Sequence, residues 1–122
     1  MWKLYAYSQC STCRAAIRFL TDRQVGFETI PIRETPPDIT ELRRALEDVG
    51  NVARKLFNTS GLEYRSRNMS ERLKQLSEQE SLAYLASCGA LVKRPFLVTP
   101  TRVLVGFNEA DWEEFLKSQR RK

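Results

Sequence analysis

The first 32 residues constrain the fold more than any other part of the sequence. A short β-favouring run from Leu4 to Tyr7 precedes two cysteines, and from Ser11 onward apolar residues recur at helical spacing until a stop near Gly26. A second strand is predicted from Gly26 to Ile32. Strand, helix and strand in this order predict a βαβ unit, in which the two strands are parallel and the helix covers one face.

The middle of the chain predicts a group of helices. Two residue pairs have the spacing of a capping box and each predicts a helix start: Asp38 with Glu41, and Ser77 with Glu80. The first of these helices should end at Gly50, and the second should carry Cys88. Between them, residues 51–67 look irregular, and a short helix is predicted over residues 70–76.

The last third of the sequence predicts a β-hairpin followed by a helix. The runs Phe96–Val98 and Val103–Val105 flank a turn that begins at Pro100. Asn108 can cap a final helix, whose apolar stripe includes Trp112.

These elements predict an α/β protein with a small mixed four-stranded sheet flanked by helices. The order β-α-β, helical segment, β-β-α fits a thioredoxin-like fold with a helical insertion. We therefore expect a single domain over residues 1–122, in which 1–33 and 91–117 form the core and 34–90 form the insertion.

Cysteine and histidine usage narrows the chemistry. The chain has three cysteines and no histidine, so a structural zinc site lacks a fourth ligand and no metal is expected. No secretory signal or bilayer-spanning run is readable, so we expect a cytoplasmic protein without a membrane partner. In such a reducing compartment, a close cysteine pair is more often redox-active or metal-binding than structural. Cys88 is expected to be a core or half-buried residue, with a third reactive thiol as the alternative.

Cys10 and Cys13 form the candidate catalytic pair. Cys10 falls where the first strand gives way to a helix, so the free amides of Ser11, Thr12 and Cys13 can stabilise its thiolate, and Arg14 adds a nearby positive charge. Cys13, about one helical turn away, can resolve a mixed disulfide on Cys10 by forming a Cys10–Cys13 disulfide. The alternatives are half of a zinc site and two small residues packed into a helix start.

A second candidate segment, Lys93-Arg94-Pro95, precedes the third strand. Thioredoxin-like proteins place a cis-proline here, facing the active-site loop, where backbone groups pair with an extended thiol substrate. Arg94 would then lie close to Cys10 and bind an oxyanion or a glutathione-type carboxylate. The alternative is that Arg94 only covers the edge of the sheet.

Four segments resemble the ArsC/Spx family of arsenate-reductase-like proteins, and in family order they cover nearly the whole chain: Tyr7-Ser8-Gln9-Cys10-Ser11-Thr12-Cys13-Arg14, Leu56-Phe57-Asn58-Thr59-Ser60-Gly61, Lys93-Arg94-Pro95 and Val105-Gly106-Phe107. The resemblance implies that Cys10 attacks arsenic or sulfur, that Arg94 neutralises an oxyanion, and that glutathione, glutaredoxin or thioredoxin supplies electrons without a bound cofactor. It also implies that the segment with Asn58 and Ser60 contacts the substrate, although family arsenate reductases carry an arginine there.

The Spx side of the resemblance implies a different function. In Spx-like regulators the matching cysteine pair is a redox switch, and the protein binds the C-terminal domain of the RNA polymerase alpha subunit. The net charge of +5 suits an anionic partner, but part of it comes from the terminal Arg120-Arg121-Lys122 run, and direct nucleic-acid binding is not expected. A structural domain with vestigial cysteines is the third alternative.

Overall fold

The computed structural model describes residues 1–120, which form four strands and six α-helices. In chain order these are β1 (Trp2–Ala6), α1 (Ser11–Asp22), β2 (Phe27–Pro31), α2 (Ile39–Asp48), α3 (Leu62–Ser66), α4 (Met69–Arg72), α5 (Glu78–Ser87), β3 (Phe96–Val98), β4 (Val103–Val105) and α6 (Glu109–Arg120). Short 3₁₀ turns follow α2 and α5. Of the basic terminal run, Arg121 and Lys122 lie outside the described residues. None of the helices within residues 1–120 has the length and apolarity that crossing a bilayer requires.

The four strands form one mixed sheet with the order β2-β1-β3-β4. β1 pairs in parallel with β2, beginning at Trp2 opposite Phe27, and antiparallel with β3 on its other side. β3 and β4 form the predicted antiparallel hairpin. This arrangement confirms the predicted fold class, and it places the end of β1 near the middle of the sheet.

Alternating side chains of β1 enter two different hydrophobic layers, because successive residues of a strand point to opposite faces. Leu4 lies in the layer that α1 and α6 cover, together with Trp112. Tyr5 lies in the layer that the helical insertion covers, together with Leu42 and Leu82. The sheet is therefore buried on both faces, and the ends of its strands remain available for a site.

Both predicted capping boxes are present. The carboxylate of Asp38 accepts from the amide of Glu41 at 2.8 Å, and the carboxylate of Glu41 accepts from the amide of Asp38 at 3.1 Å. The hydroxyl of Ser77 and the carboxylate of Glu80 make the same reciprocal pair at the start of α5. These pairs satisfy backbone amides that the first helical turn would otherwise leave without acceptors.

The helix boundaries in the insertion differ from the prediction. The segment predicted to be irregular contains α3, and the helix predicted over residues 70–76 is shorter and begins earlier, at Met69. α3 shows no helical apolar stripe because Leu62 is 74% exposed and only Tyr64 is buried, packed against Phe57 at 6.1 Å between ring centroids. Asn68, in a left-handed conformation with φ of 54°, separates the two short helices.

Candidate active site

Cys10 occupies the N-cap position of α1, as predicted. Its backbone is extended, with φ −95° and ψ 120°, and its Sγ atom accepts a hydrogen bond from the amide of Cys13 at 3.4 Å. The amide of Cys10 donates to the carbonyl of Tyr7 at 3.0 Å, which fixes the loop between β1 and α1. Because the side chain is only partly buried, its sulfur is accessible at the positive end of a twelve-residue helix.

The surroundings of Cys10 favour its thiolate. Partial burial pushes the pKa of Cys10 upward, but hydrogen bonds from the amide and thiol of Cys13 and from the amide of Thr12, together with the charge of Arg94, hold the pKa below the ordinary cysteine value. The group is therefore more ionised at neutral pH than a free cysteine, and the thiolate is the nucleophilic form.

Cys13 is fully buried and has the opposite tendency. Burial raises the pKa of Cys13 to about 11, and both the hydrogen bond to Cys10 and the charge of Cys10 act in the same direction, whereas the amide of Tyr7, 3.4 Å from its sulfur, and Arg94 oppose them. The pair thus divides into one accessible thiolate and one buried thiol that donates to it. Neither of these cysteines, nor Cys88, is in a disulfide bond.

Arg94 supplies the positive charge of the site. The peptide bond between Arg94 and Pro95 is cis, and the guanidinium carbon of Arg94 lies 5.0 Å from the centroid of the Tyr7 ring. Its Nη1 atom is buried and has no hydrogen-bond partner. A buried donor without an acceptor costs free energy, so this nitrogen is available to an anionic or carbonyl oxygen that enters the site.

Tyr7 is a site residue that the sequence prediction treated only as part of a strand. β1 ends at Ala6, and the backbone of Tyr7 contacts both cysteines, through its carbonyl to Cys10 and its amide to Cys13. Its ring is near a second cation, because the guanidinium carbon of Arg33 is also 5.0 Å from the ring centroid and Arg33 donates to the Tyr7 hydroxyl at 3.1 Å. In the sequence, the one indication of this role is that Tyr7 lies directly before the cysteine loop.

The other predicted residues of the loop have unequal roles. The amide of Thr12 acts on the pKa of Cys10, as expected, whereas Ser11 is an exposed residue with no side-chain hydrogen bond to the pair. Arg14 was expected to add its charge near Cys10, but its guanidinium donates to the carbonyl of Ser8 at 2.8 Å. Arg14 therefore braces the loop, and the charge that stabilises the thiolate comes from Arg94.

Asn58 pairs through its backbone with the segment that leads to Arg94, and Ser60 follows two residues later. Phe57 forms an isolated antiparallel bridge with Val92, and the amide of Asn58 donates to the carbonyl of Leu91 at 2.7 Å. Ser60 is exposed in the turn before α3, and none of the hydrogen bonds found within residues 1–120 joins either side chain to Cys10 or Arg94. Their predicted contact with substrate stays a prediction.

Cys88 follows the last residue of α5 and is half-buried against the insertion core. This agrees with the expectation of a core or half-buried side chain. Among the described residues, no group of three or more histidine, cysteine, aspartate or glutamate side chains is arranged to hold a metal ion.

Two of the cavities lie beside the β3–β4 hairpin. The larger, about 790 Å³, runs along β4 and α6 from Asp48 to Gln119 and contains neither residue of the cysteine pair. The smaller, about 300 Å³, adjoins the cysteine loop at Thr12 and is lined by Arg94. The lining of the smaller cavity also contains neither cysteine, and the cavity shares only Thr12 and Arg94 with the site.

The geometry of the site agrees with a family assignment from sequence. A sequence model of the ArsC family matches residues 5–115. The chain belongs to the ArsC family. Membership confirms the resemblance on which the candidate residues were partly based.

Proteins similar to this chain have diverse descriptions. The uncharacterised protein YusI of Bacillus subtilis (strain 168) is 43% identical over 110 residues, covering 90% of this chain and 93% of YusI. The global transcriptional regulator Spx of Enterococcus faecalis is 28% identical over 116 residues, covering 95% of this chain and 86% of Spx. The crystal structure of a possible arsenate reductase from Streptococcus mutans UA159 has 38% sequence identity and a TM-score of 0.84, and covers 93% of this chain and 98% of that protein.

Proposed function

We propose that this ArsC-family protein is a thiol-dependent oxidoreductase in which Cys10 is the nucleophile and Cys13 resolves the intermediate. The observation that carries the proposal is the asymmetry of the pair: Cys10 is accessible and has a lowered pKa, whereas Cys13 is buried and has a raised pKa. The attacking thiol must be ionised and in contact with the substrate. The resolving thiol reacts only after the attacking sulfur has formed a bond to the substrate.

In the first step, the thiolate of Cys10 attacks one sulfur of a disulfide substrate. A bond forms between the Cys10 sulfur and that substrate sulfur, the substrate disulfide breaks, and its other half leaves as a thiolate. The negative charge of Cys10 disappears in this step.

The loss of that charge prepares the second step. Two causes of the raised pKa of Cys13, the hydrogen bond to the Cys10 thiolate and its charge, are removed, while the Tyr7 amide and Arg94 still favour the anion. The Cys13 thiol gives its proton to the thiolate released in the first step or to water, and its sulfur attacks the sulfur of Cys10. The Cys10–Cys13 disulfide forms, the second half of the substrate leaves as a thiolate, and two electrons have passed to the substrate.

The protein then needs a thiol reductant, for which glutathione, glutaredoxin and thioredoxin are the candidates, in the reducing environment of the cytoplasm. We infer that a disulfide or glutathione adduct is a better substrate than arsenate. Arg94 is present, but Asn58 and Ser60 are uncharged where the family resemblance implies a second arginine. Each charge-assisted hydrogen bond to an oxyanion is worth about 1.5 to 3 kcal/mol.

The pH profile of Cys10 alkylation tests the activated thiolate. Iodoacetamide should modify Cys10 with a midpoint below about pH 8.5, the value for free cysteine, because the folded site lowers the pKa of this thiol. Tandem mass spectrometry of the peptide that contains both cysteines distinguishes Cys10 from Cys13. The low-pH phase should vanish in Cys10→Ser and persist in Cys88→Ser; a midpoint at or above that of free cysteine would contradict the proposal.

Substitution of Arg94 with Gln should move the same profile to higher pH. The positive charge of Arg94 lowers the pKa of Cys10, so its removal leaves a smaller thiolate fraction at neutral pH and slows alkylation there. Arg14→Gln is the matched control, because the Arg14 guanidinium is bound to the carbonyl of Ser8. A larger displacement in Arg14→Gln than in Arg94→Gln would show that the wrong arginine has been assigned.

The similarity to Spx favours a second candidate, a redox-sensing regulator that binds the RNA polymerase alpha subunit. A pull-down with the isolated alpha C-terminal domain, under reducing and oxidising conditions, tests it. Binding that changes with the redox state of the Cys10–Cys13 pair would support the regulator, and absence of binding in both conditions would remove it.

A further inference from the structure

The side chain of Tyr7 has no part in the proposed reaction, although its backbone contacts both cysteines. The carbonyl of Tyr7 accepts from the amide of Cys10, and the amide of Tyr7 donates to the sulfur of Cys13. Any residue other than proline could make these two contacts, because they use only the carbonyl and the amide. They therefore give no reason for a half-buried aromatic ring at this position.

The Tyr7 ring lies against the Arg94 guanidinium, which has no polar partner among the described residues. The guanidinium carbon is 5.0 Å from the centroid of the ring. None of the side-chain hydrogen bonds or ion pairs within residues 1–120 involves Arg94, and its buried Nη1 atom has no acceptor. A long side chain without such partners has several accessible rotamers. The ring restricts this choice, because a guanidinium is attracted to an aromatic face within about 6 Å of its centroid.

Arg33 supports the same ring from the end of β2. It donates to the Tyr7 hydroxyl at 3.1 Å, and its guanidinium carbon is 5.0 Å from the ring centroid. The backbone next to Arg33 is fixed, since the amide of Ile32 donates to the carbonyl of Ala6 at 3.1 Å. A Cβ atom at Gly89 would lie 2.9 Å from the Cα atom of Arg33, so this backbone is also tightly packed. The hydroxyl of Tyr7 is therefore bonded to a residue whose main chain has little freedom.

We propose that the Tyr7 side chain is a positioning residue, which keeps the Arg94 guanidinium beside Cys10 while Arg33 holds the ring through its hydroxyl. This inference rests on the proposed oxidoreductase function, because it adds to that function a residue that acts on the nucleophile through Arg94. Tyr7 itself does not touch the substrate in this role.

The ionisation of Cys10 is the property that reports this role. The groups that act on Cys10 are the amide and thiol of Cys13 and the amide of Thr12 on α1, together with the charge of Arg94 before β3. Of these groups, only Arg94 lies against the Tyr7 ring. Without the ring, the guanidinium spends less time beside the thiolate, so the pKa of Cys10 should rise.

The pH profile of Cys10 alkylation by iodoacetamide in the reduced protein tests the inference. Tyr7→Leu removes the ring and should raise the midpoint by about half a pH unit, which slows alkylation about threefold at pH values well below the midpoint. Tyr7→Phe keeps the ring and loses only the hydroxyl, so it should restore most of this difference. Tyr84→Leu is the matched control, because Tyr84 is also a half-buried tyrosine whose hydroxyl accepts from an arginine, Arg72, at 3.3 Å. The midpoint of Tyr84→Leu should equal that of the wild type.

A double-mutant cycle distinguishes the positioning of Arg94 from a general disturbance of the loop. In the Arg94→Gln background, Tyr7→Leu should add no further shift, because no guanidinium is left to position. A shift of the same size in that background, or no shift from Tyr7→Leu alone, would overturn the inference and leave the proposed function intact. A wild-type midpoint at or above that of free cysteine would contradict the proposed function, and this inference would fail with it.

Arg33→Gln gives a second route to the same cycle if Tyr7→Leu does not fold. Arg33 is exposed, so this substitution should leave the fold unchanged, which a thermal melt verifies. Arg33→Gln should raise the midpoint by less than Tyr7→Leu does, because the ring remains, and the rise should disappear in the Arg94→Gln background. A rise that persists there would show that Arg33 acts on Cys10 by its own charge, which would overturn its place in the proposal.

Discussion

Replacing Cys10 with Ser is expected to reduce turnover of a glutathione mixed disulfide by about a thousandfold or more. A serine hydroxyl is not ionised at neutral pH, so the amides and the Arg94 charge that stabilise the Cys10 thiolate have no anion to act on. The measurement is the steady-state rate with glutathione as reductant, and the same assay with arsenate should give a slower wild-type rate. Since Cys10 is partly exposed, Cys10→Ser should fold normally, which circular dichroism and a thermal melt can verify.

The matched controls for Cys10→Ser use the other two cysteines. Cys88→Ser makes the same chemical change at a half-buried residue outside the pair and should keep turnover within about twofold. Cys13→Ser should stop after the first step and accumulate a mixed disulfide on Cys10, visible as the added mass of one glutathione. Full activity of Cys10→Ser would remove this residue from the mechanism, and a Cys13→Ser variant that turns over normally would remove the resolving step.

The sequence was sufficient to predict those site residues whose chemistry depends on their neighbours in the chain. Cys10 and Cys13 could be assigned because a strand followed directly by a helix leaves free amides at their junction, which Cys10 caps. The charge of Arg94 could be assigned from the family resemblance. The hydrogen bond from the Arg14 guanidinium to the carbonyl of Ser8 was not predictable, because nothing in the sequence shows that this side chain folds back onto the loop.

Features of the site that depend on distant segments were not predictable. The Tyr7 ring lies near Arg33, which follows β2, and Arg94, which precedes β3, and only the assembled sheet brings these three together. The contact of Lys93 with Gly106 likewise joins two segments across the β3–β4 hairpin. Side chains that are neighbours only in the tertiary structure leave no periodic pattern in the sequence.

The limits of the strands show the same difference between what local sequence determines and what pairing with distant residues determines. The hairpin strands Phe96–Val98 and Val103–Val105 were predicted with their observed limits, because an apolar run and a turn define each of them. β1 was predicted to begin at Leu4, yet it begins at Trp2, where pairing with Phe27 starts the parallel ladder. Trp2 is only half-buried, so burial alone gives no reason to include it.

Glu41 has two roles, one that the sequence predicts and one that only the structure shows. Its capping-box contact with Asp38 was predicted, but the same carboxylate is only 6% exposed, accepts from the hydroxyl of Tyr5 at 2.7 Å and forms an ion pair with Lys3. One side chain therefore connects α2 to β1 through the insertion core. Burial alone would raise the pKa of Glu41, but the hydrogen bonds from Lys3, Tyr5 and the Asp38 amide hold it below the ordinary glutamate value.

We expect Glu41→Ala to lower the free energy of unfolding by about 3 kcal/mol and the Tm by about 10 °C. The Tyr5 hydroxyl would stay buried without its acceptor, Lys3 would lose its partner, and the amide of Asp38 would lose its cap. Glu80→Ala is the matched control, because Glu80 has the same capping-box position in α5 but is fully exposed, and its loss should be much smaller. Urea unfolding of both variants measures the difference, and equal losses would show that the buried network adds nothing to the cap.

The pH dependence of stability distinguishes the contribution of the Glu41 charge from the contribution of its packing. Because the pKa of Glu41 is lower in the folded protein than the value of about 4.3 in the unfolded chain, its ionised form contributes stability above about pH 4.3, and this contribution is lost as the pH falls through the folded pKa. Glu41→Gln keeps an acceptor for Tyr5 at nearly the same volume but cannot titrate. Between pH 7 and pH 3, thermal melts should therefore show a smaller fall in Tm for Glu41→Gln than for wild type, and parallel curves would mean that other carboxylates account for the acid sensitivity.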